Sequence, residues 1–205
     1  MLMEFAKKFS EKFAADFSKP FERVMVFVDG GYLRELCKRF GGHDNVKWAR
    51  LSWSFIRMFN TYGENPFNAN LIRIYYYDAI VGKEHPDYNA QRKYFDRIEA
   101  QYAYTVRLGE LVESSKKQFK QKGVDILMAI DAVSKAYQKQ YDTGMFMVGD
   151  RDFKPLIDAV KDAGRKTIGV FNPPTCSEEL ARSFDMRIFF DEKPIKDWLE
   201  KMPTT

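Results

Sequence analysis

The stretch Gly144-Met-Phe-Met-Val-Gly-Asp-Arg-Asp-Phe153 organises the rest of the chain. Four apolar residues, Met145 to Val148, predict a short buried strand. The chain then breaks and carries Asp150 and Asp152 beyond the carboxyl end of that strand. A helix follows, with Pro155 in its first turn, where a missing N–H does little harm. Ligands of α/β sheets bind beyond the carboxyl ends of the strands, so two carboxylates there indicate a site for a hard cation.

The same order of strand, aspartate and helix occurs earlier. Val24 to Val28 form a continuous apolar run of the kind that a parallel sheet buries on both faces, and Asp29 follows it directly. Further strands are predicted at 71–77, 105–108, 166–170 and 186–190, and helices at 32–39, 50–60, 87–101, 125–140, from Ser177 and at 195–201. In the helix from 125, we expect Leu127, Ile130 and Val133 to face the core. Alternating strands and helices without tight hairpins predict an α/β sandwich with a mainly parallel sheet.

Composition limits the classes of protein. The chain has 205 residues, 33 basic and 29 acidic, and a formal net charge of +4, which is too mild to indicate nucleic-acid binding by itself. Cys37 and Cys176 are far apart without metal-ligand spacing, so we expect no disulfide framework, no zinc site and a cytoplasmic location. No apolar run is long enough to span a membrane, and charged residues interrupt any signal-peptide core.

Residues 1–20 are predicted to form an amphipathic helix in front of a single domain at 21–205. Phe5, Phe9, Phe13 and Phe17 are four residues apart, which places their rings on one side of a helix. Such a face could bind a membrane surface or a partner, but packing on its own domain or on a second copy, giving a homodimer, is the more common use.

The carboxylates carry the chemical signal. If their strands lie side by side, Asp29, Asp125 and Asp150 meet at one edge of the sheet, where like charges so close would hold a proton or bind Mg²⁺ or Mn²⁺. The alternative is that Asp29, Asp125 and Asp152 are only N-caps of helices. We expect Asp152, not Asp150, to cap the helix at Phe153. Asp131, about 120° around the helix from Asp125, is expected to support the cluster from its edge.

Features that suit a nucleic acid are weaker. Lys116, Lys117, Lys120 and Lys122 come just before Asp125, and Tyr75 to Tyr77 could stack on bases. A solvated lysine loop and half-buried strand tyrosines are the simpler alternatives. There is no GxxxxGK loop, and the two histidines, His43 and His85, are isolated, so neither a P-loop nor a histidine metal site is indicated.

Together, three motifs resemble the NYN domain of the PIN-like nuclease superfamily, with the LabA-like (DUF88) members as the most similar branch. The motifs are Val28-Asp-Gly-Gly-Tyr32, Lys122-Gly-Val-Asp125 with Asp131, and Gly149-Asp-Arg-Asp-Phe153, within a match over about 24–190. The resemblance implies a Rossmann-like PIN-type three-layer α/β sandwich and divalent-metal-dependent cleavage of RNA. It places the metal on Asp29, Asp125 and Asp150 and adds Asp152 as a catalytic aspartate that orients a water. Asp131 and Tyr32 would support the metal ligands. Arg151 and the four lysines would bind RNA.

The chain departs from the family pattern at two positions. Tyr32 stands where Asn is frequent, and Val148 where Ser is frequent, and both changes remove polar groups that would support metal ligands. The main hypothesis, from the resemblance, is a Mg²⁺- or Mn²⁺-dependent ribonuclease. The two departures motivate the alternative, a non-catalytic RNA-binding or regulatory module. A phosphatase of the haloacid-dehalogenase type is a third, although Gly31 stands where that chemistry needs a second acid.

Overall fold

The computed structural model describes residues 20–38, 46–61, 68–113 and 119–199. Within these residues the chain forms a seven-stranded sheet with helices on both faces. The strands are β1 (Phe21–Asp29), β2 (Asn68–Val81), β3 (Tyr104–Glu113), β4 (Phe119–Lys122), β5 (Thr143–Met147), β6 (Lys166–Phe171) and β7 (Met186–Phe189). The helices are α1 (Gly30–Lys38), α2 (Trp48–Thr61), α3 (Tyr88–Glu99), α4 (Val124–Tyr137), α5 (Lys154–Asp162), α6 (Glu178–Ser183) and α7 (Glu192–Trp198). The predicted α/β fold is confirmed.

The strand order creates a crevice at the centre of the sheet. The order is β4-β3-β2-β1-β5-β6-β7, and every neighbouring pair is parallel except β3 and β4. Strands β2, β3 and β4 follow β1 in the sequence and lie on one side of it, whereas β5, β6 and β7 lie on its other side. The order therefore reverses between β1 and β5, and the carboxyl ends of strands at such a switch point form the usual ligand site of an open α/β sheet.

The core lies on both faces of the sheet. In β1, Val24, Val26 and Val28 pack under α1, α2, α3 and α7, whereas Met25 and Phe27 pack under α4, α5 and α6. All five side chains are almost completely buried. Burial on both faces explains why this strand is a continuous apolar run and not an alternating one.

The predicted inner face of α4 is wrong at Ile130. This side chain is 60% exposed, whereas Leu127 and Val133 are partly buried and pack against the core. The residues that face the sheet are Val124, Met128, Ala132 and Ala136. They share a core with Tyr75 and Tyr77 of β2, and these large rings leave room for alanine side chains but not for a row of branched aliphatic ones.

The alternation of strands and helices is broken once, because β4, which lies in the stretch not predicted as a strand, pairs antiparallel with β3 and places Glu110 opposite Lys122. Gly123, at φ 81°, then starts α4 directly. The predicted helix at 1–20 lies outside the described residues except for Pro20, and so do Lys116 and Lys117. Among the helices that the structure describes, none is long and apolar enough to cross a bilayer.

Candidate active site

Asp29 is the last residue of β1 and lies at the switch point. Its Oδ1 accepts a hydrogen bond from the Gly31 N–H at 2.8 Å, so the side chain stabilises the first turn of α1 as an N-cap does. Burial, together with the smaller effect of the negative charges of Asp125 and Asp78, raises the pKa of Asp29 from 3.8 to about 6, although hydrogen bonds from Gly31 and Tyr32 act to lower it. The capping role and a high proton affinity are therefore both present in one carboxylate.

Asp150 lies just beyond β5, the parallel neighbour of β1. Its extended backbone, with φ −85° and ψ 137°, and its Oδ1, which accepts from the Asp152 N–H at 3.1 Å, make it the N-cap of a short 3₁₀ turn at Arg151–Phe153. The prediction that Asp152 would be the cap is wrong, because the helix is preceded by this extra turn. Asp152 instead lies inside the turn with its side chain exposed.

Asp125 lies in the first turn of α4. It is not the N-cap, because Gly123 holds that position without any side-chain bond. Burial raises the pKa of Asp125, and the charges of Asp150 and Asp152 raise it further. Since Asp125 in turn acts on Asp29, the four acids form one electrostatic group at the edge of the sheet.

The Asp29 and Asp150 side chains line the same open cavity of 500 Å³, together with Arg151 and Thr175. Within the described residues, none of the four acids of this group is paired with a lysine or arginine. Unpaired carboxylate oxygens suit a hard divalent cation. However, no three Asp, Glu, His or Cys side chains of residues 20–38, 46–61, 68–113 and 119–199 converge closely enough to hold a metal ion. The donors fit such an ion chemically, but they are not preassembled around one point.

Tyr32 joins the two sides of this cavity. Its hydroxyl accepts hydrogen bonds from the buried Asn172 N–H at 3.1 Å and from Thr175 Oγ1 at 3.0 Å, and burial raises its pKa. Its ring packs on Gly149, where a β-carbon would lie 2.5 Å from Tyr32 Cδ2. Tyr32 therefore retains a polar role next to the site, but its hydroxyl bonds to the segment after β6, away from the carboxylates. Val148 is fully buried, so a side chain there points into the core.

Asp131 does not contact the other acids. Its carboxylate accepts from Lys135 Nζ at 2.5 Å, Arg107 Nε at 3.0 Å and the Tyr77 hydroxyl at 3.2 Å. Lys135 is itself buried and lies 4.7 Å from the centre of the Tyr75 ring. Because these partners already neutralise Asp131, its predicted place beside the cluster has no support from the geometry.

A partly buried ion pair next to Asp29 carried no strong sequence signal. Asp78, at the carboxyl side of β2, is 1% exposed and is paired with Arg34 of α1. It also accepts hydrogen bonds from the Tyr76 hydroxyl at 2.8 Å and the Ala79 N–H at 2.7 Å. Arg34 follows Asp29 by little more than one helical turn, so only this spacing could have indicated that a basic group supports the site.

The predicted RNA-binding side chains fall into two groups. Lys120 and Lys122 are exposed on β4, and Arg151 is exposed at the rim of the acidic cavity. The rings of Tyr75, Tyr76 and Tyr77 are at most 8% exposed, so these tyrosines are core residues and cannot stack on a base.

A family model for the NYN domain matches residues 23–192, which is most of the chain. The chain belongs to the NYN domain family. NYN domains are part of the PIN-like nuclease superfamily, so the predicted family is confirmed and indicates a nuclease-type, RNA-related function. PIN-like nuclease domains generally use divalent metals. The narrower placement in the LabA-like branch stays a prediction.

Solved structures support the fold of this NYN domain. A protein of unknown function from Vibrio parahaemolyticus is similar over 87% of this chain and 96% of its own, with a TM-score of 0.61 and 18% identity. A candidate oxidoreductase from Parabacteroides merdae matches over 83% of this chain and 31% of its own, with 8% identity. Its TM-score of 0.29 is too low to carry an argument. No curated protein matches the sequence.

Proposed function

We propose that this NYN domain is a divalent-metal-dependent endoribonuclease. The observation that carries the proposal is the group of four acids at the edge of the sheet, which have no lysine or arginine pair within the described residues. In this group Asp29 has a pKa of about 6 because of burial and neighbouring negative charge. Carboxylates that hold a proton so readily without a cation are the ones that gain most from binding one.

Each residue of the group has a proposed role. Asp29, Asp125 and Asp150 would hold Mg²⁺ or Mn²⁺, and the exposed Asp125 and Asp150 side chains would have to move for the three to converge on one ion. When bound, such an ion activates water and stabilises the charge that develops on the phosphate. Asp152 would orient the attacking water from the adjacent 3₁₀ turn.

The substrate would be held mainly through its phosphates. Lys120 and Lys122 on β4 are exposed cations, and Arg151 beside Asp150 is an exposed cation that lines the acidic cavity. Cations in this position attract a polyanion and offset the repulsion between RNA and the acids. We include Lys116 and Lys117 in the same role on the sequence alone.

The direct test is cleavage of a generic single-stranded RNA with Mn²⁺. We expect Asp150→Asn to reduce cleavage by at least about 100-fold, in keeping with the loss of a metal ligand. Asp158→Asn is the matched control, because Asp158 is an exposed acid on α5 that pairs with Lys154 away from the acidic cavity. Equal cleavage by wild type, Asp150→Asn and a sample with chelator would reject the proposal.

A non-catalytic RNA-binding module is the second candidate. It is favoured by the absence, among the described residues, of three metal ligands that already converge. Titration with Mn²⁺ in a calorimeter separates the two candidates. Micromolar binding that Asp29→Asn removes supports the nuclease, whereas RNA binding without any measurable Mn²⁺ binding supports the module.

A further inference from the structure

A second cavity, of 620 Å³, opens beside the acidic one. It lies between the carboxyl side of β2, the helix α3 and the strand β4. Its lining includes Arg34, Asp78, Gln91, Tyr94, Arg97 and Gln121. Cavities of about 300–1,000 Å³ are the size that holds small organic groups.

The two cavities meet at Gly31. A β-carbon at this position would lie 3.1 Å from Asp29 Oδ1 of the acidic cavity, and 3.7 Å from Gln121 Oε1 and 3.9 Å from Arg34 Nη2 of the second cavity. The sheet register agrees, because Asp29 is opposite Tyr77 and Asp78 is the next residue of β2. A chain molecule bound at Asp29 would therefore have its neighbouring unit within reach of the second cavity.

The charges of this cavity balance, which argues against a phosphate as its ligand. Arg34 is already paired with Asp78, and Asp87 at the rim offsets Arg97. The exposed lysines of β4, which do not line this cavity, would provide the phosphate contacts of the proposed function. A cavity with no net charge suits an uncharged group with hydrogen-bonding edges.

The polar and aromatic groups match a nucleobase. Gln91 uses Oε1 to accept from the Val81 N–H at 3.1 Å, and Gln121 uses Nε2 to donate to Asp78 at 3.2 Å. The Gln91 amide nitrogen, a donor, and the Gln121 amide oxygen, an acceptor, therefore remain without another partner in the described part of the chain. Arg97 lies over the Tyr94 ring at 5.9 Å from its centre. Unpaired bases stack on such tyrosine rings and guanidinium planes.

We propose that the cavity between α1, α3 and β4 binds one unpaired base of the RNA, beside the nucleotide whose phosphate is cleaved. It would thereby give the enzyme a base preference. This inference rests on the proposed nuclease for its position next to the cleaved bond, but the base site itself can be measured without cleavage.

The test compares Arg97→Gln and Tyr94→Leu with Arg92→Gln. Arg97 is exposed, so Arg97→Gln should keep the fold even if Tyr94→Leu disrupts it. Arg92 is the matched control, because it is on the same helix but pairs with Asp96 and Glu99 outside the cavity. The probes are labelled hexamers of A, C, G and U in the presence of chelator, read by fluorescence anisotropy, and nucleoside monophosphates as competitors.

We expect wild type and Arg92→Gln to prefer one or two of the four hexamers. Loss of one stacked base in Arg97→Gln and Tyr94→Leu should weaken binding of the preferred hexamer by roughly 5- to 100-fold. In cleavage with Mn²⁺, the same variants should raise KM for the preferred sequence more than they lower kcat. Equal binding of all four hexamers by wild type, or an unchanged preference in both cavity variants, would overturn the inference.

Two further outcomes separate the inference from the nuclease. If Asp150→Asn abolishes cleavage while the cavity variants keep the wild-type preference, the nuclease stands and the base site fails. If no protein cleaves but the cavity variants lose the preference, the base site stands without the nuclease. Nucleoside monophosphates that bind as tightly as hexamers would make a free nucleotide the ligand and overturn the RNA assignment.

Discussion

The Tyr32 ring lies against the backbone of Gly149, so close that a β-carbon there would be 2.5 Å from Cδ2 and 2.6 Å from Cε2 of the ring. The Thr175 carbonyl oxygen, 2.8 Å from the same point, closes the other side. Gly149 thus lets the segments after β1, β5 and β6 meet at the acidic cavity.

Gly149→Ala should therefore destabilise the fold by about 1–3 kcal/mol, because the added methyl group has to displace a tyrosine ring and a backbone oxygen. Gly82→Ala is the control, since nothing lies within 4 Å of its added β-carbon. Urea unfolding of both variants measures the difference. Equal midpoints for the two variants would contradict this account of the contact.

The Tyr32 hydroxyl should contribute separately from the ring. In Tyr32→Phe, the buried Asn172 N–H loses its acceptor, which should cost about 1–3 kcal/mol of unfolding free energy. Tyr102→Phe, at an 87% exposed tyrosine, should be neutral. A Tyr32→Phe protein as stable as the Tyr102→Phe protein would show that water replaces the lost acceptor.

The raised pKa of Asp29 has a consequence for stability. The folded value of about 6 is above the ordinary value of 3.8, so the folded protein binds more protons between these pH values and loses stability as pH rises from about 4 to 6. Asp29→Asn removes this loss and keeps an oxygen for the Gly31 N–H. With chelator at pH 7.5, the variant should be more stable than wild type by about 3 kcal/mol, which is the equivalent of the pKa difference between 3.8 and about 6.

This gain should shrink as pH falls towards 4, because wild-type Asp29 is then protonated. Guanidinium unfolding at pH 4.5, 6.0 and 7.5 follows it, and added Mn²⁺ should stabilise wild type but not the variant. A variant that is less stable than wild type at pH 7.5 would mean that the carboxylate is not destabilised by its surroundings.

Asp131 should behave differently from the acids of the site. Asp131→Asn leaves the buried Lys135 without its nearest carboxylate and should lower the unfolding free energy by about 3 kcal/mol. Cleavage per folded molecule should stay within about twofold of wild type, because the proposed metal ligands are untouched. Asp158→Asn, which removes an exposed pair, should change neither. An Asp131→Asn protein that is as stable as wild type but does not cleave RNA would contradict this prediction and assign Asp131 to the metal site.

Local patterns predicted most of the fold. Apolar runs of the right length, each stopped by Gly and Asp, identified β1 and β5, and their similarity to each other indicated that Asp29 and Asp150 occupy equivalent strand ends. Helical spacing placed Ile130 of α4 on the wrong face, because Ile130 and Met128 fit equally periodic but different faces. Only the Tyr75 and Tyr77 rings on the sheet decide which face fits, and they are distant in sequence.

By itself, then, the sequence determined the class of fold, the family and the acids that follow the strands, because these depend on residues adjacent along the chain. Tertiary structure alone decided that Asp131 pairs with Lys135, that Arg34 pairs with Asp78, and that a second cavity adjoins Asp29. These contacts follow from the strand order, which brings distant segments to one edge of the sheet. Pair energies between such segments depend on burial and charge in three dimensions, and no spacing along the chain encodes them.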